Sequence, residues 1–317
     1  MGRYERLTVV TVLATLFLIA VGSTVRTTGS GLGCPDWPLC HGQLIPPMER
    51  TAIIEWSHRT VAAIVGVLIL AQAVWTFRAR ASDRALQVLA VITLPLLAFQ
   101  AYLGMVTVQR ELPPEVVALH LFTALTLVAI LGLMAAFAIQ GAGRTLIDTP
   151  ERHGFRKVAL FALGTTAGVL AIGTYTVGTH AGFACTGWPG CPEAIRPFLD
   201  GFRLQHIHWL HRLTVLFGLG AVGLLFVYVV QMREEAPNLR RAAHALLGLY
   251  AVQIVVGAGN IWLDMSEAIR VTHLVVGSAI WTLLVVTAFA GRYRPAEAPP
   301  ADDPRPVGRD AASHVHA

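Results

Sequence analysis

Long apolar runs dominate the chain. Runs of about 20 residues are long enough to cross ~30 Å of hydrocarbon, and they fall at 7–25, 60–77, 86–108, 116–139, 158–177, 209–230, 243–263 and 268–290. The pattern predicts eight transmembrane helices. The first run follows Arg3 and Arg6, as in a signal peptide, but Gly22-Ser23-Thr24 is a poor cleavage site. We therefore expect this run to be retained as a helix.

The composition supports a membrane protein. Of the 317 residues, 55% are hydrophobic and only 14% are charged, and the mean hydropathy is +0.60. An ordinary soluble globule is more polar than this, so membrane lipid is the expected surrounding. The sequence has no nucleic-acid-binding motif, and the net charge of +5 is explained by basic loops between the helices.

The distribution of basic residues predicts the orientation. Sixteen of the 24 Lys and Arg residues lie in the two tails and in alternate loops, and cytoplasmic loops collect such residues. Both termini are therefore predicted to be cytoplasmic, in a multi-pass protein of the cytoplasmic (inner) membrane. The proline-rich tail, 292–317, is predicted to be disordered.

The sequence repeats itself. Cys34 and Cys40 match Cys185 and Cys191 at an offset of 151. Beyond these loops the offset becomes 153, and the further matches are Trp56 with Trp209, His58 with His211, Arg59 with Arg212, Gln100 with Gln253, Gly104 with Gly257 and His120 with His273. Rare residue types coincide throughout, which indicates an internal duplication.

The duplication predicts an all-α membrane protein built as two tandem parallel-repeat four-helix bundles. Each half has an even number of helices, so both halves enter the membrane from the same side. The predicted domains are 1–145 and 146–291, followed by the tail. The two-residue change of offset falls in a loop, where changes of length are tolerated.

Four histidines occupy matching positions in the two halves. On the predicted topology, His58 and His211 open the second helix of each half, and His120 and His273 lie in the first turns of the fourth. Axial ligation of haem iron requires two neutral imidazoles on facing helices, at similar depth, between apolar walls. We therefore expect each half to hold one haem. The alternative is that they are interfacial polar anchors.

Arginines directly follow two of these histidines. A haem propionate is a candidate partner for Arg59 and for Arg212, through charge-assisted hydrogen bonds, and the alternative is snorkelling to lipid headgroups. The third helices carry polar and small residues that we interpret as helix-packing positions: Gln100, Gly104, Gln253 and Gly257.

The halves differ at one position beside the ligand candidates. Glu55 precedes His58 by three residues, whereas its counterpart in the second half is His208. A carboxylate at this spacing lies on the same helical face as the histidine, one turn outward, where it can donate or accept a proton. Capping of the helix N-terminus is the alternative for Glu55. For His208, beside an external loop, contact with water is a sufficient explanation.

The four cysteines form two close pairs in the predicted external loops. Thiols so close together are normally oxidised outside the cytoplasm, which predicts the disulfides Cys34–Cys40 and Cys185–Cys191. A structural staple is the favoured interpretation of the second pair. For the first pair, beside Glu55, a redox or substrate-contacting role is an equal alternative.

Together these residues resemble the haem A synthase family. The segments that carry the resemblance are 29–40 (GSGLGCPDWPLC), 55–59 (EWSHR), His120, His211 and His273, with the paired cysteines. The glutamate, the histidines and the cysteines follow the order and the topology of that family. The resemblance covers about residues 7–290.

The resemblance implies a two-step oxidation of a ring methyl group of haem O to a formyl group, through hydroxylated intermediates. By similarity, His211 and His273 ligate the iron of a resident haem b. His58 and His120 bracket the substrate haem O, with Glu55 as the catalytic group. The implied partners are haem O and a haem O synthase that delivers it. The sequence does not identify the electron donor or acceptor.

Two other functions fit parts of the pattern. A di-haem b electron-transfer cytochrome would bind two permanent haems and would not need Glu55. A quinone-linked thiol-disulfide oxidoreductase would use the loop cysteines, with structural histidines. A transporter built on parallel repeats ranks lower, because acidic residues are scarce in the middle of the predicted helices.

Overall fold

A computed structural model describes residues 1–295 of the chain. Within this range the structure contains eight long helices: α1 (Arg3–Thr27), α2 (Arg50–Ala79), α3 (Arg84–Gln109), α4 (Pro114–Gln140), α5 (Pro150–Gly178), α6 (Arg203–Gln231), α7 (Pro237–Trp262) and α8 (Glu267–Ala290). Two short strands, β1 (Thr145–Leu146) and β2 (Tyr293–Arg294), pair antiparallel. A 3-10 turn covers Ala181–Phe183.

Each of these helices is long and apolar enough to cross a membrane, with 24 to 30 residues. The predicted all-α membrane fold is therefore confirmed, and the chain is a multi-pass membrane protein. Local sequence sets several helix starts. Proline occupies the first turn of α4, α5 and α7, where a missing N–H costs nothing, and Asp83 caps α3 by accepting a hydrogen bond from the N–H of Leu86.

Helix contacts have the same order in both halves of the chain. In the first half, α1 contacts α2 and α4, and α3 contacts α2 and α4. In the second half, α5 contacts α6 and α8, and α7 contacts α6 and α8. The halves meet along a seam in which α4 contacts α8, α1 contacts α8 and α4 contacts α5. If α1 to α4 are exchanged with α5 to α8 in this description, the set of helix contacts stays the same.

The buried positions recur at the offsets of the sequence repeat. In α1 and α5 the buried pairs include Tyr4 and Phe155, Thr8 and Ala159, Thr11 and Ala162, Thr15 and Thr166, and Ser23 and Thr174. In α4 and α8 they include Leu125 and Ser278, Leu127 and Ile280, Val128 and Trp281, Leu131 and Leu284, and Met134 and Thr287. Corresponding helices thus turn the same faces inward.

The two interiors nevertheless differ in polarity. Six buried positions of the first half are polar or hydroxyl-bearing and have apolar counterparts in the second half: Tyr4, Thr8, Thr11, Gln72, Thr76 and Thr93 against Phe155, Ala159, Ala162, Leu225, Val229 and Leu246. The hydroxyl groups of Tyr4 and Thr76 share a hydrogen bond of 2.8 Å. The reverse holds in α8, where Ser278, Thr282 and Thr287 are buried at the positions of Leu125, Ala129 and Met134. Two bundles of one plan therefore differ in where their buried polar groups lie.

Several helices begin earlier than their apolar runs. The runs at 60, 158 and 209 lie inside helices that begin at Arg50, Pro150 and Arg203. Hydropathy detects only the lipid-crossing part of a helix, whereas the backbone stays helical through the polar turns at either side. The expectation that His58 and His211 open their helices was therefore wrong, because each is the ninth residue of its helix.

The ends of the helices fall into two groups. One, here called the disulfide-loop end, carries the loops 28–49 and 179–202. The opposite end carries a buried ion pair in which Arg144 donates to both carboxylate oxygens of Asp83, each at 2.6 Å. There β2 pairs with β1, so residues 292–295 are ordered, contrary to the expectation for the tail. The rest of that tail, 296–317, lies outside the described residues.

Asp83→Ala should be strongly destabilising. It leaves the guanidinium of Arg144, whose side chain is 6% exposed, without its carboxylate, and it removes the cap of α3. Breaking a buried pair costs about 3–5 kcal/mol, and the measurement is thermal unfolding in detergent. The control is Asp148→Ala, which breaks an ion pair with His153 that is 66–76% exposed and is worth less than about 1 kcal/mol. Equal effects would contradict this interpretation.

Candidate functional site

The four histidines form two equivalent sets at the disulfide-loop end. His58 and His211 are the ninth residues of α2 and α6, and His120 and His273 are the seventh residues of α4 and α8. Within each half the two imidazoles lie close enough to interact electrostatically. The structure thus brings the expected partners together within each bundle.

A glycine of the neighbouring helix faces each imidazole. A Cβ atom on Gly22 of α1 would lie 2.9 Å from Cε1 of His58, and one on Gly173 of α5 would lie 3.3 Å from Cε1 of His211. A Cβ atom on Gly22 would displace the ring of His58, and one on Gly173 would press against the ring of His211. Gly22 and Gly173 match at the offset of 151, a coincidence that the sequence already contained.

The other two histidines repeat this arrangement. A Cβ atom on Gly104 of α3 would lie 3.4 Å from Cε1 of His120, and one on Gly257 of α7 would lie 3.2 Å from Cε1 of His273. These glycines do serve helix packing, as interpreted from the sequence, but the group packed against them is an imidazole. The four cradles fix where each ring can lie.

The glutamines beside these glycines contact the same histidines. Nε2 of Gln100 lies 3.3 Å from Nε2 of His120, whereas Nε2 of Gln253 donates to the main-chain carbonyl of His273 at 2.8 Å. Their interpretation as plain packing residues was therefore incomplete. The first half has an amide group at the imidazole itself, and the second half does not.

The histidines have the properties of metal ligands. The Nδ1 atoms of all four are buried and have no hydrogen-bond partner among the described residues. Burying such a nitrogen unpaired is unfavourable, so other interactions of each side chain have to offset the cost of burying its ring. Neutral imidazoles in pairs, held by small residues within an apolar bundle, fit the axial ligation of haem iron.

The acid of the first half lies deep beside the loop disulfide. Glu55 is 3% exposed. One of its carboxylate oxygens accepts a hydrogen bond of 2.8 Å from the N–H of Cys34, and the other pairs with Arg59. The first disulfide loop therefore positions this carboxylate. Glu55 is not a helix cap, because it lies six residues into α2.

The two arginines beside the histidines bind the disulfide loops. The guanidinium of Arg59 donates to the carbonyls of Asp36, Leu39 and Cys34 at 2.6–2.9 Å. The guanidinium of Arg212 donates to the carbonyls of Pro189, Gly190 and Gly187 at 2.6–3.0 Å. These contacts clamp each loop over its bundle. The expected contact with a haem propionate remains a prediction for both.

Both expected disulfides are present and shielded from water. Cys34 and Cys40 are 0% and 1% exposed, and Cys185 and Cys191 are each 2% exposed. An indole latches each loop to its helix: Nε1 of Trp56 donates to the carbonyl of Leu44, and Nε1 of Trp209 to that of Ala194, both at 2.8 Å. The burial and these contacts fit a structural role for the second disulfide.

A carboxylate also orders the first loop. Asp36 accepts hydrogen bonds from the main-chain N–H groups of Gly42 and His41, at 2.8 Å and 2.6 Å. These bonds, chiefly the one from Gly42, lower the pKa of Asp36. The carboxylate therefore stays ionised at neutral pH and holds the turn. The matching position in the second loop is Gly187, so the two loops are ordered differently.

His208 departs from its expected environment. It was assigned to water beside an external loop, but the structure buries it to 7% exposure, with Nδ1 unpaired among the described residues. Because α6 begins six residues earlier than its apolar run, His208 lies inside the helix, at the position of Glu55. The second half thus has a buried imidazole where the first has a carboxylate.

The comparisons with known proteins agree with this architecture. The family model described as cytochrome oxidase assembly protein (COX15-CtaA) matches residues 5–53 and 48–285. A protein named haem A synthase from Symbiobacterium thermophilum is 33% identical over 77% of this chain and 81% of its own length. Relatives of the same name from Alkalihalophilus pseudofirmus and Shewanella oneidensis are 29% and 27% identical, over 89% and 88% of this chain and 95% and 93% of their own lengths.

The glycine cradles give a graded prediction. Gly22→Ala places a Cβ atom 2.9 Å from the ring of His58, whereas Gly104→Ala places one 3.4 Å from His120. Overpacking of this kind costs about 1–3 kcal/mol, so the first change should disturb its histidine more than the second. Thermal stability and bound haem per chain measure the effect. Gly66→Ala, with nothing within 4 Å, is the control, and an inverted order would contradict the cradle.

The arginine clamps predict how easily each disulfide is reduced. Arg59→Met leaves three loop carbonyls without their donor, so reduction of Cys34–Cys40 by a water-soluble phosphine should be about tenfold faster. Arg212→Met should do the same only for Cys185–Cys191. Maleimide labelling and peptide mass analysis measure both rates. Each variant is the control for the other, and acceleration at both loops would indicate general unfolding instead.

Proposed function

Because this chain belongs to the cytochrome oxidase assembly protein family, whose relatives above are named haem A synthases, we propose that it converts haem O into haem A. The family places it in haem A biosynthesis. The proposed reaction oxidises a ring methyl group of haem O to a formyl group in two steps, through hydroxylated intermediates. The chain is then an oxidoreductase that acts on a methyl group.

The single observation that supports the proposal best is the pair of histidine sets. Four imidazoles at equivalent positions, two in each half and each against a glycine of a neighbouring helix, match what the axial ligation of two haems requires. We propose that residues 1–145 hold the substrate through His58 and His120. Residues 146–291 then hold haem b through His211 and His273, and that haem supplies electron-transfer capacity.

The difference between the halves supports this division. Each oxidation step removes two electrons and releases protons from the reacting groups. The electrons are proposed to leave through haem b of the second half to an external electron acceptor, and the substrate site needs a group that accepts a proton. Glu55 is a buried acid at the disulfide-loop end of the first half, and it lies one turn from His58 on the same face of α2. The second half has His208 at this position, as expected if no such chemistry occurs there.

The loop disulfide contributes to this role by holding the acid. The N–H of Cys34 and the guanidinium of Arg59 each bind one oxygen of Glu55, so the carboxylate is fixed while the substrate binds and leaves. We propose that Cys34–Cys40 positions Glu55 and that Cys185–Cys191 stabilises the second loop. Buried disulfides are poor partners for thiol exchange, which disfavours the thiol-disulfide oxidoreductase.

The proposed location follows from the charge pattern. The opposite end of the helices carries most of the basic residues, so it is assigned to the cytoplasm, with both termini there. The haem sites then lie near the outer face of the cytoplasmic membrane. Haem O is the proposed substrate, and a haem O synthase in the same membrane is the proposed partner.

Extraction of the bound pigments tests the assignment. The protein is purified from hosts with and without haem O, and its pigments are separated by chromatography. With haem O, we expect haem b together with haem O, hydroxylated haem and haem A. Haem b alone, at two per chain and unaffected by Glu55→Ala, would establish the electron-transfer cytochrome instead.

Ligand variants separate the two sites. His211→Ala or His273→Ala should remove haem b, whereas His58→Ala or His120→Ala should keep haem b and abolish formation of haem A. His244→Ala, an exposed change at the opposite end of the helices, is the control and should change neither. Loss of haem b from first-half variants would contradict the division between the halves.

Glu55→Gln tests the proposed proton acceptor. The amide keeps an oxygen for the N–H of Cys34 but cannot take up a proton, so conversion should fall by at least about a hundredfold. Haem b content should stay unchanged. The ratio of haem A to haem O measures conversion, and Glu49→Gln, an exposed acid at the same end of α2, is the control. Unchanged conversion would remove Glu55 from the mechanism.

A further inference from the structure

Two arginines meet at the disulfide-loop end of the seam between the halves. Arg26, near the end of α1, donates to the carbonyl of Val177 on α5 at 2.6 Å. Arg270, in the first turn of α8, donates to the carbonyl of Thr27 on α1 at 3.0 Å. Each guanidinium therefore reaches from its own half to the other, and the two lie close enough to repel each other.

Neither arginine has an acidic partner among the described residues. The carboxylate ion pairs in that part of the chain involve other arginines, and Nε of Arg270 is buried without a hydrogen-bond partner. Two adjacent cations, half-buried and with unused donors, form a site for an anionic group.

Both arginines lie directly beside the proposed haem sites. Arg270 is three residues before His273, about 4.5 Å nearer the end of the helix on the same face. Arg26 is four residues after Gly22, which cradles His58, and so about 6 Å nearer the disulfide-loop end. One cation therefore belongs to each histidine pair, and the two meet at the seam.

Because the sequence repeats, each of these arginines can be compared with the residue at the matching position in the other half. The counterparts of Arg26 and Arg270 at the repeat offsets are Val177 and Val117. The cations therefore occur only where α1 meets α8 and are replaced by valine where α5 meets α4. Packing at the seam does not require arginine at these positions, because the equivalent contact is made with valine.

We propose that Arg26 and Arg270 bind haem propionates, one from each proposed haem, and so hold the propionate edges of both haems at the seam. This inference rests on the proposed function. It extends the role expected for Arg59 and Arg212, which also bind loop carbonyls, to two further cations that have unused donors. Guanidinium groups suit the task because they bind carboxylates with two parallel hydrogen bonds.

The test measures how fast haem leaves the protein. Purified holoprotein is mixed with excess apomyoglobin, and haem transfer is followed by absorbance for the wild type, Arg26→Val and Arg270→Val. In protein that contains only haem b, Arg270→Val should release haem about tenfold faster, the effect of one lost charge-assisted hydrogen bond. With haem O also bound, Arg26→Val should release haem O about tenfold faster. The lysine variants should lie between valine and wild type.

Esterified haem identifies the propionates as the cause. The same measurement on protein loaded with haem b dimethyl ester, which has no carboxylates, should show no difference between the wild type and Arg270→Val. Arg110→Leu is the control, because Arg110 is exposed at the same end and its counterpart is Leu263; it should change nothing. If Arg270→Val released the esterified haem faster by the same factor, Arg270 would have a structural role only, and the proposal would be overturned.

Two further outcomes would also overturn it. Unchanged haem release in both valine variants, with loss of co-purifying phospholipid seen by native mass spectrometry, would identify a lipid headgroup as the anion. Unchanged release with no lipid loss would leave the arginines without an anionic ligand. If the wild-type protein bound no haem, the proposed function itself would be refuted. The measurement on the wild type shows this before any variant is compared with it.

Discussion

The structure depends on the burial of four imidazoles inside bundles that otherwise exclude water. A buried unpaired ring nitrogen is unfavourable, and ionisable residues within a membrane are usually retained for function. Each ring lies against a glycine, so the neighbouring helices approach closely and the rings have little freedom. Haem iron bound to one nitrogen of each ring would help to offset the cost of burying the imidazoles, and it would link the two helices that carry them. The cofactor and the fold are then energetically coupled.

Duplication produced one plan, and substitution then differentiated its halves. The cradles, the arginine clamps and the indole latches are present in both halves. Glu55 against His208, the contact of Gln100 with His120, and the arginines of the seam break the symmetry. The buried polar groups also lie at different positions in the two cores. These differences lie around an unchanged scaffold, which is expected if one half binds a resident cofactor and the other a substrate that is exchanged.

The sequence predicted the helices and the histidine pairs because hydropathy and the repeat report on both directly. It placed the start of α2 ten residues late and that of α6 six residues late, since a hydropathy window cannot detect a helix that continues into polar residues. The error in α6 left His208 outside its helix, in water. The propionate contacts of Arg59 and Arg212 stay a prediction, whereas the loop carbonyls that these arginines bind could not be predicted, because the sequence does not give the path of the loops. The pairing of Arg26 with Arg270 could not be predicted, because these residues are far apart in the sequence and come together only at the seam between the halves.

Electron paramagnetic resonance of the ferric protein, isolated from cells that make haem O, is the most direct test of paired imidazole ligation. Two low-spin signals of the bis-histidine type are expected, one abolished by His211→Ala and the other by His58→Ala. A single low-spin signal that survives both changes, or high-spin iron alone, would show that the two histidine pairs do not hold two haems.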